Sequence, residues 1–293
     1  MLDRPEWFSR AIAVPGEPRW AVGKECAISY LAWGVPRQPL VILVHGRAAH
    51  ARWWDHIAPF LADGHRVVAV DLAGHGDSGW REFYGVEAWA EDIMLVAREE
   101  SDQPPLLVGH SMGANACAVA SARMARPIRG LVLVESPIGV PPSGEGLTGS
   151  GSVGEPVGAR TYDSEEDAVA HFRVLPPDPV VLPFVERHIA EHSVRQRQGN
   201  WVWKFDPMVL PQVLLAVEEL RQSFCPVALV RGERGMCTAQ SSAAIAGRLG
   251  PGVTQVEIPD AGHHIMLGQP IALVAVLRML VSLWGSVEGF SAS

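Results

Sequence analysis

Ser111 stands between Gly109 and Gly113 in "LLVGHSMGANA", where an apolar run gives way to a run of small residues. A serine hydroxyl is a weak nucleophile until a base takes its proton, so the pattern G-x-S-x-G gains meaning only from its surroundings. Flanking glycines remove the side chains that would collide with a neighbouring strand and helix if the serine is held in a strained turn. The competing explanation is a serine that caps a helix, a position this residue favours in any protein. The strand-like run before Ser111 and the alanine-rich helical run after it favour the nucleophile. A base for it is found on a late loop. In "EIPDAGHHIMLGQP", His263 follows a strand and a turn and precedes the last long helix, whereas His264 beside it is the weaker candidate, expected to pack at the start of that loop.

Such a serine and histidine must be brought together by elements far apart in the chain. Short runs rich in Val, Leu and Ile recur at 40–46, 66–72, 105–111, 130–136, 226–232 and 253–259, continuous enough to be buried on both faces. Segments with apolar positions at helical spacing alternate with them, "ARWWDHIAPFLADG" and "EAWAEDIMLVAREE" among them, which is the signature of a mostly parallel sheet covered by helices. "RWAVG" and "CAISYLAWG" read as an antiparallel lead-in. The series breaks once, after Ser136. The expected organisation is a core formed by 1–136 and 225–293, with a mainly helical cap, 137–224, inserted over the carboxyl ends of the strands. Its first part, the Gly, Pro and Ser-rich stretch 137–160, is expected to be mobile.

Composition narrows the function. Lys plus Arg number 24 against 32 Asp plus Glu, a net charge of −8, with no basic run, so a nucleic-acid partner is not expected and a small-molecule substrate is. Cys26, Cys117, Cys225 and Cys237 have no CxxC spacing and read as reduced thiols; with an N-terminus that lacks a basic and apolar leader, they suggest a cytoplasmic protein. No apolar run is long enough to span a membrane. Neither a metal-ligand set nor a phosphate-cradling loop is evident, so no metal and no cofactor is expected.

Taken in order, Val44-His45-Gly46, Asp71-Leu72-Ala73-Gly74-His75-Gly76-Asp77-Ser78, the Ser111 turn and Asp260-Ala261-Gly262-His263 resemble the marks of an α/β-hydrolase, with matching strand contexts over most of the chain. The resemblance implies an α/β-hydrolase fold and oxyanion donors from the backbone N–H groups of Arg47 and Met112. It also implies a serine hydrolase that cleaves a small to medium carboxylic ester or lactone through an acyl-enzyme on Ser111. Thioesterases, amidases and carbon–carbon bond hydrolases use the same triad, and a non-catalytic ligand-binding protein on this fold is the alternative from another class. A serine at the turn argues against haloalkane dehalogenases and epoxide hydrolases, which attack with a carboxylate there.

The chain departs from the family at its acid. The usual aspartate follows the strand after the cap, but in "PVALVRGERGMCT" that slot is Gly235. Glu135, at the end of the preceding sheet strand, is the favoured substitute; Glu233 and Asp260 are the alternatives. Arg47 is a second departure, expected to point to solvent unless it leans into the pocket to meet an anionic substrate. His50, Trp53, Trp54, Trp201, Trp203 and Phe205 fall in segments expected to border the site, as weaker candidates for an aromatic-walled pocket.

Overall fold

The computed structural model describes residues 4–123, 127–139, 160–210 and 215–285. Helix α1 (Glu6–Ile12) leads into an antiparallel pair, β1 (Glu17–Val22) and β2 (Ala27–Trp33). Strand β3 (Leu40–Val44) is followed by a 3-10 turn at Ala51–Trp54 and by α2 (Ala58–Leu61). The helical run expected over that stretch is therefore split, as befits Pro59, which has no N–H to carry an earlier helix onward. Then come β4 (Arg66–Val70), α3 (Val86–Glu100), β5 (Leu106–His110), α4 (Met112–Arg123) and β6 (Gly130–Val134).

An inserted segment follows, with α5 (Glu165–Ala170), α6 (Pro183–His192) and the hairpin β7 (Val194–Arg197) and β8 (Asn200–Trp203). The chain returns to the sheet with β9 (Val227–Gly232), α7 (Ala239–Leu249), β10 (Thr254–Ile258), α8 (Ile265–Gly268) and α9 (Pro270–Gly285). The hairpin is an addition to the helical elements expected in the insertion, and Trp201 adds a further backbone bridge to Tyr162. Most of the stretch 137–160, expected to be mobile, lies outside the described residues.

All strands but the β7–β8 hairpin join one sheet, in the order β1-β2-β4-β3-β5-β6-β9-β10, parallel from β4 onward. Alternate residues of β3 feed two separate cores: Val41 and Leu43 join one, and Leu40, Ile42 and Val44 the other. That is the period-2 consequence of helices on both faces, and it explains why the strands read as unbroken apolar runs. Because β3, β5, β6 and β9 run the same way and are neighbours, their carboxyl ends open side by side, at Val44, His110, Val134 and Gly232.

Helix α4 lies close on the sheet. A side chain at Gly113 would overlap the His45 carbonyl oxygen and stand 2.9 Å from a Val44 methyl carbon. Backbone cannot give way there as a flexible side chain would. Gly113→Ala is therefore expected to destabilise the protein by about 2–3 kcal/mol in urea unfolding, read as a lower midpoint with an unchanged slope.

Candidate active site

Ser111 occupies the turn between β5 and α4 with φ +52°, a left-handed conformation that a serine adopts only under constraint. The constraint is visible on both sides. Its N–H donates to the Val134 carbonyl at 3.0 Å, and its own carbonyl accepts from Ala114 N at 3.0 Å and from Asn115 Nδ2 at 3.2 Å. A Cβ at Gly109 would stand 2.6 Å from Ala114 Cα, so the approach to the turn has room for hydrogen only. Gly46 presses against the other side: a Cβ there would be 3.1 Å from Ser111 Cβ. Arg47 is thus carried next to the serine, and Met112 is the first residue of α4, where a helix presents unpaired N–H groups and positive dipole.

His263 joins this turn from the loop after β10. Its Nε2 lies 3.1 Å from Ser111 Oγ and its Nδ1 lies 3.1 Å from Glu135 Oε2, so one imidazole spans hydroxyl and carboxylate. Glu135 has no exposure to solvent. It sits just past β6 with φ +45°, and its carboxylate accepts from Gly232 N at 2.8 Å, Met236 N at 2.9 Å and Cys237 N at 3.4 Å. Facing that acceptor, Nδ1 carries the proton and Nε2 is left to accept from the serine. The empty acid slot has a steric reason. A side chain at Gly235 would overlap the Glu135 carboxylate itself, so the slot where the family resemblance leads to an expected aspartate is filled here from the neighbouring strand.

The two alternative acids lie apart from this imidazole. Glu233 is exposed and accepts from Asp260 N at 2.8 Å, while Asp260, also exposed, pairs with Arg234. They brace the turn before His263 from its solvent side.

Residues 41–276 match the model of the alpha/beta hydrolase family. The chain belongs to that family. It is 32% identical over 262 residues to "Esterase Rv0045c" of Mycobacterium tuberculosis, covering 86% of this chain and 85% of that protein. "Lipase LipV" of the same organism is 25% identical over 252 residues, covering 81% and 91%. The solved structure of E-2-(acetamidomethylene)succinate hydrolase superposes with a TM-score of 0.75 over 91% of this chain and 99% of that one; at 22% identity the likeness speaks to the fold. The chain is a hydrolase acting on ester bonds.

Other predicted site residues fall into place around this hydrolase's triad-like relay, not all where expected. Trp54 is wholly buried, within the core cluster that also holds Trp53. Trp53 is nearly as buried, its ring edge-on to His264 at 5.4 Å. Trp201 and Trp203 are half-buried on the inserted hairpin, and Trp203 packs on Tyr162 and Phe172. Phe205, on the strap that follows, is buried and bridges to the His75 backbone. His50 reaches Ser193 Oγ at 2.8 Å, tying the core to the insertion. Arg47 is half-buried instead of solvated, and burial lowers its guanidinium pKa.

Residues that sequence reasoning passed over hold the histidine loop. Asp178, from the insertion, accepts from His264 N at 2.8 Å, and its carboxylate fills the space a side chain at Gly262 would need. His264 Nε2 donates to the Pro176 carbonyl at 3.1 Å, and His110 Nε2 donates to the His263 carbonyl at 3.0 Å. Asp178 had no signal in sequence, since it lies in a Pro-rich stretch 86 positions from its partner. Other bonds between the insertion and the rest of the chain include those of Leu182 with Leu267, Lys204 with Gly76, Asp206 with Tyr84 and Leu215 with Asn115. Among the described residues no helix is long and apolar enough to cross a membrane.

Burial lowers the pKa of His45 and His56 to about 4 and of His264 to about 3, and takes His50, His75 and His110 well below the ordinary value. In the unfolded chain these histidines take up protons near pH 6.5, whereas the folded chain resists protonation until far lower pH. Their stabilisation is complete above pH 6.5 and is lost as pH falls towards 4, by on the order of 1–2 kcal/mol per histidine between pH 7 and pH 5. Asp71 opposes this alone among the strongly shifted carboxyls, because burial raises it to about 6 and acidification relieves its charge. The melting temperature is expected to fall steeply between pH 7 and pH 5 in a calorimetric series.

Proposed function

We propose that this chain is a serine hydrolase that cleaves small to medium carboxylic esters or lactones through an acyl-enzyme on Ser111. The observation that carries the reading is the relay: Ser111 Oγ and Glu135 Oε2 each lie 3.1 Å from opposite nitrogens of one buried imidazole. The esterase and lipase named above support an ester as the bond cleaved.

In this reading Ser111 Oγ bonds to the carbonyl carbon while its proton passes to His263 Nε2. Glu135, held by three N–H groups, steadies the imidazolium through Nδ1. The backbone N–H groups of Arg47 and Met112 receive the developing oxyanion, a contribution of about 3 kcal/mol for each such donor. His263 then returns the proton to the departing alkoxide oxygen; an ester releases its alcohol, and a lactone keeps the new hydroxyl tethered to the acyl group. Water gives a proton to the same nitrogen, its oxygen bonds to the acyl carbon, and the proton goes back to Ser111 Oγ as the carboxylic acid leaves. These steps balance without a cofactor. Residues 137–224 serve as a cap whose loop at Pro176–Asp178 grips the histidine loop.

A fluorophosphonate probe is expected to label the folded protein at Ser111 and to leave Ser111→Ala unlabelled; unlabelled folded wild type would end the enzyme reading. On a panel of esters, lactones and thioesters, Glu135→Gln should lower kcat by roughly 10³–10⁴-fold with the fold intact, because the amide offers Nδ1–H a weaker and misaligned partner. Glu233→Gln should change kcat by less than about twofold. The reversed pair of outcomes would move the acid to Glu233.

A further inference from the structure

Helix α6 carries His188 and His192 one turn apart, and Asp55 comes up to them from the core, just after the 3-10 turn that follows β3. The rings of the two histidines lie with centroids 4.5 Å apart, and His188 Nε2 is 3.0 Å from Asp55 Oδ2. One donor atom from each of the three falls within 4.8 Å of the others. Nothing in the proposed reaction uses them.

A hydrogen bond between His188 and Asp55 alone would account for these two groups, yet it leaves one buried oxygen of Asp55 unexplained. Asp55 is only 7% exposed, and its Oδ1 is buried with no hydrogen-bond partner. Buried carboxylate oxygens are ordinarily satisfied, and one left open beside two imidazoles has the chemistry of an unfilled ligand. His192 donates from Nδ1 to the His188 carbonyl at 2.8 Å, which leaves the Nε2 lone pair for a metal. The surroundings are mixed in charge: Arg52 Nη1 lies 3.3 Å from Asp55 Oδ2, on a side chain 30% exposed that has solvent to swing into, and the Phe8 ring closes the apolar side at 5.8 Å from His188.

We propose that Asp55, His188 and His192 form a binding site for a transition-metal ion of the zinc class. Two imidazoles at i and i+4 on a helix face plus one carboxylate suit such an ion, with water in the fourth position. Because two ligands belong to the insertion and one to the core, the bound ion staples helix α6 to the sheet side of the molecule. The His-x-x-x-His spacing was not singled out in the sequence, and the third ligand lies 133 positions from His188.

His110, His263 and His264 form a second cluster with donor atoms equally close, so the test must separate the two. Metal-free protein would be titrated with zinc chloride by calorimetry and by thermal unfolding, as wild type, His192→Gln, Asp55→Asn and His263→Ala. His263→Ala disables the second cluster and keeps the backbone carbonyl that His110 holds. Wild type and His263→Ala should bind zinc with a Tm rise of roughly 5 °C at a hundredfold excess over Kd. His192→Gln and Asp55→Asn should each lose at least about tenfold in affinity, and that rise with it. Zinc binding that survives in both of these variants but vanishes in His263→Ala would overturn the proposal, as would wild type that binds no zinc at 1 mM.

Discussion

A carboxylate taken wholly out of water must find partners inside the protein, and Glu135 meets that constraint with three backbone N–H groups and one imidazole. The N–H groups belong to the stretch from Gly232 to Cys237, at the carboxyl end of β9, while Glu135 itself stands at the carboxyl end of β6. One side chain therefore locks two adjacent strand ends together and fixes where a histidine can rest against them. The Ser111 turn is bound to the same strand end through the Val134 carbonyl, so serine and acid share one rigid support. Glycine at 235 is part of the device, since any larger residue would displace the carboxylate.

A second layer holds the histidine. His110, the residue before Ser111, holds the His263 carbonyl, while Asp178 and Pro176 from the insertion and Trp53 pack on His264. This layer ties the insertion to the histidine loop, since Pro176 and Asp178 both bond to His264, the residue after His263. The neutral histidines that line the region carry acid sensitivity as a by-product of burial.

Much of this was legible before any coordinates. Continuous apolar runs located β3, β4, β5, β6 and β9 because both their faces are covered, whereas β10, expected to be buried likewise, is an edge strand and largely exposed; the glycine pair around Ser111 located the turn because backbone approaches there on two sides. The missing aspartate at 235 pointed to Glu135, yet sequence could not say why the glycine was there, for the overlap exists only once β6 and β9 are neighbours. A tryptophan near a site and one in the core look alike in sequence, and only the structure shows that Trp54 is wholly buried. The β7–β8 hairpin was missed because its strands, "VRQR" and "NWVW", lie half-buried on a small two-stranded sheet and lack the apolar alternation of a core strand. Asp178 and Asp55 act across 86 and 133 positions, distances over which local pattern carries no signal.

The central proposal is that Glu135 serves as the acid that the family resemblance leads one to expect at the position of Gly235. Relocating the carboxylate tests it most directly, by comparing kcat for Glu135→Ala with kcat for the double variant Glu135→Ala, Gly235→Asp on one ester. Removing the glutamate clears the space that an aspartate at 235 needs. The account predicts a loss of roughly 10³–10⁴-fold in the single variant and a recovery of at least about tenfold in the double one. A single variant with near wild-type kcat, or a double variant no faster than the single, would contradict it.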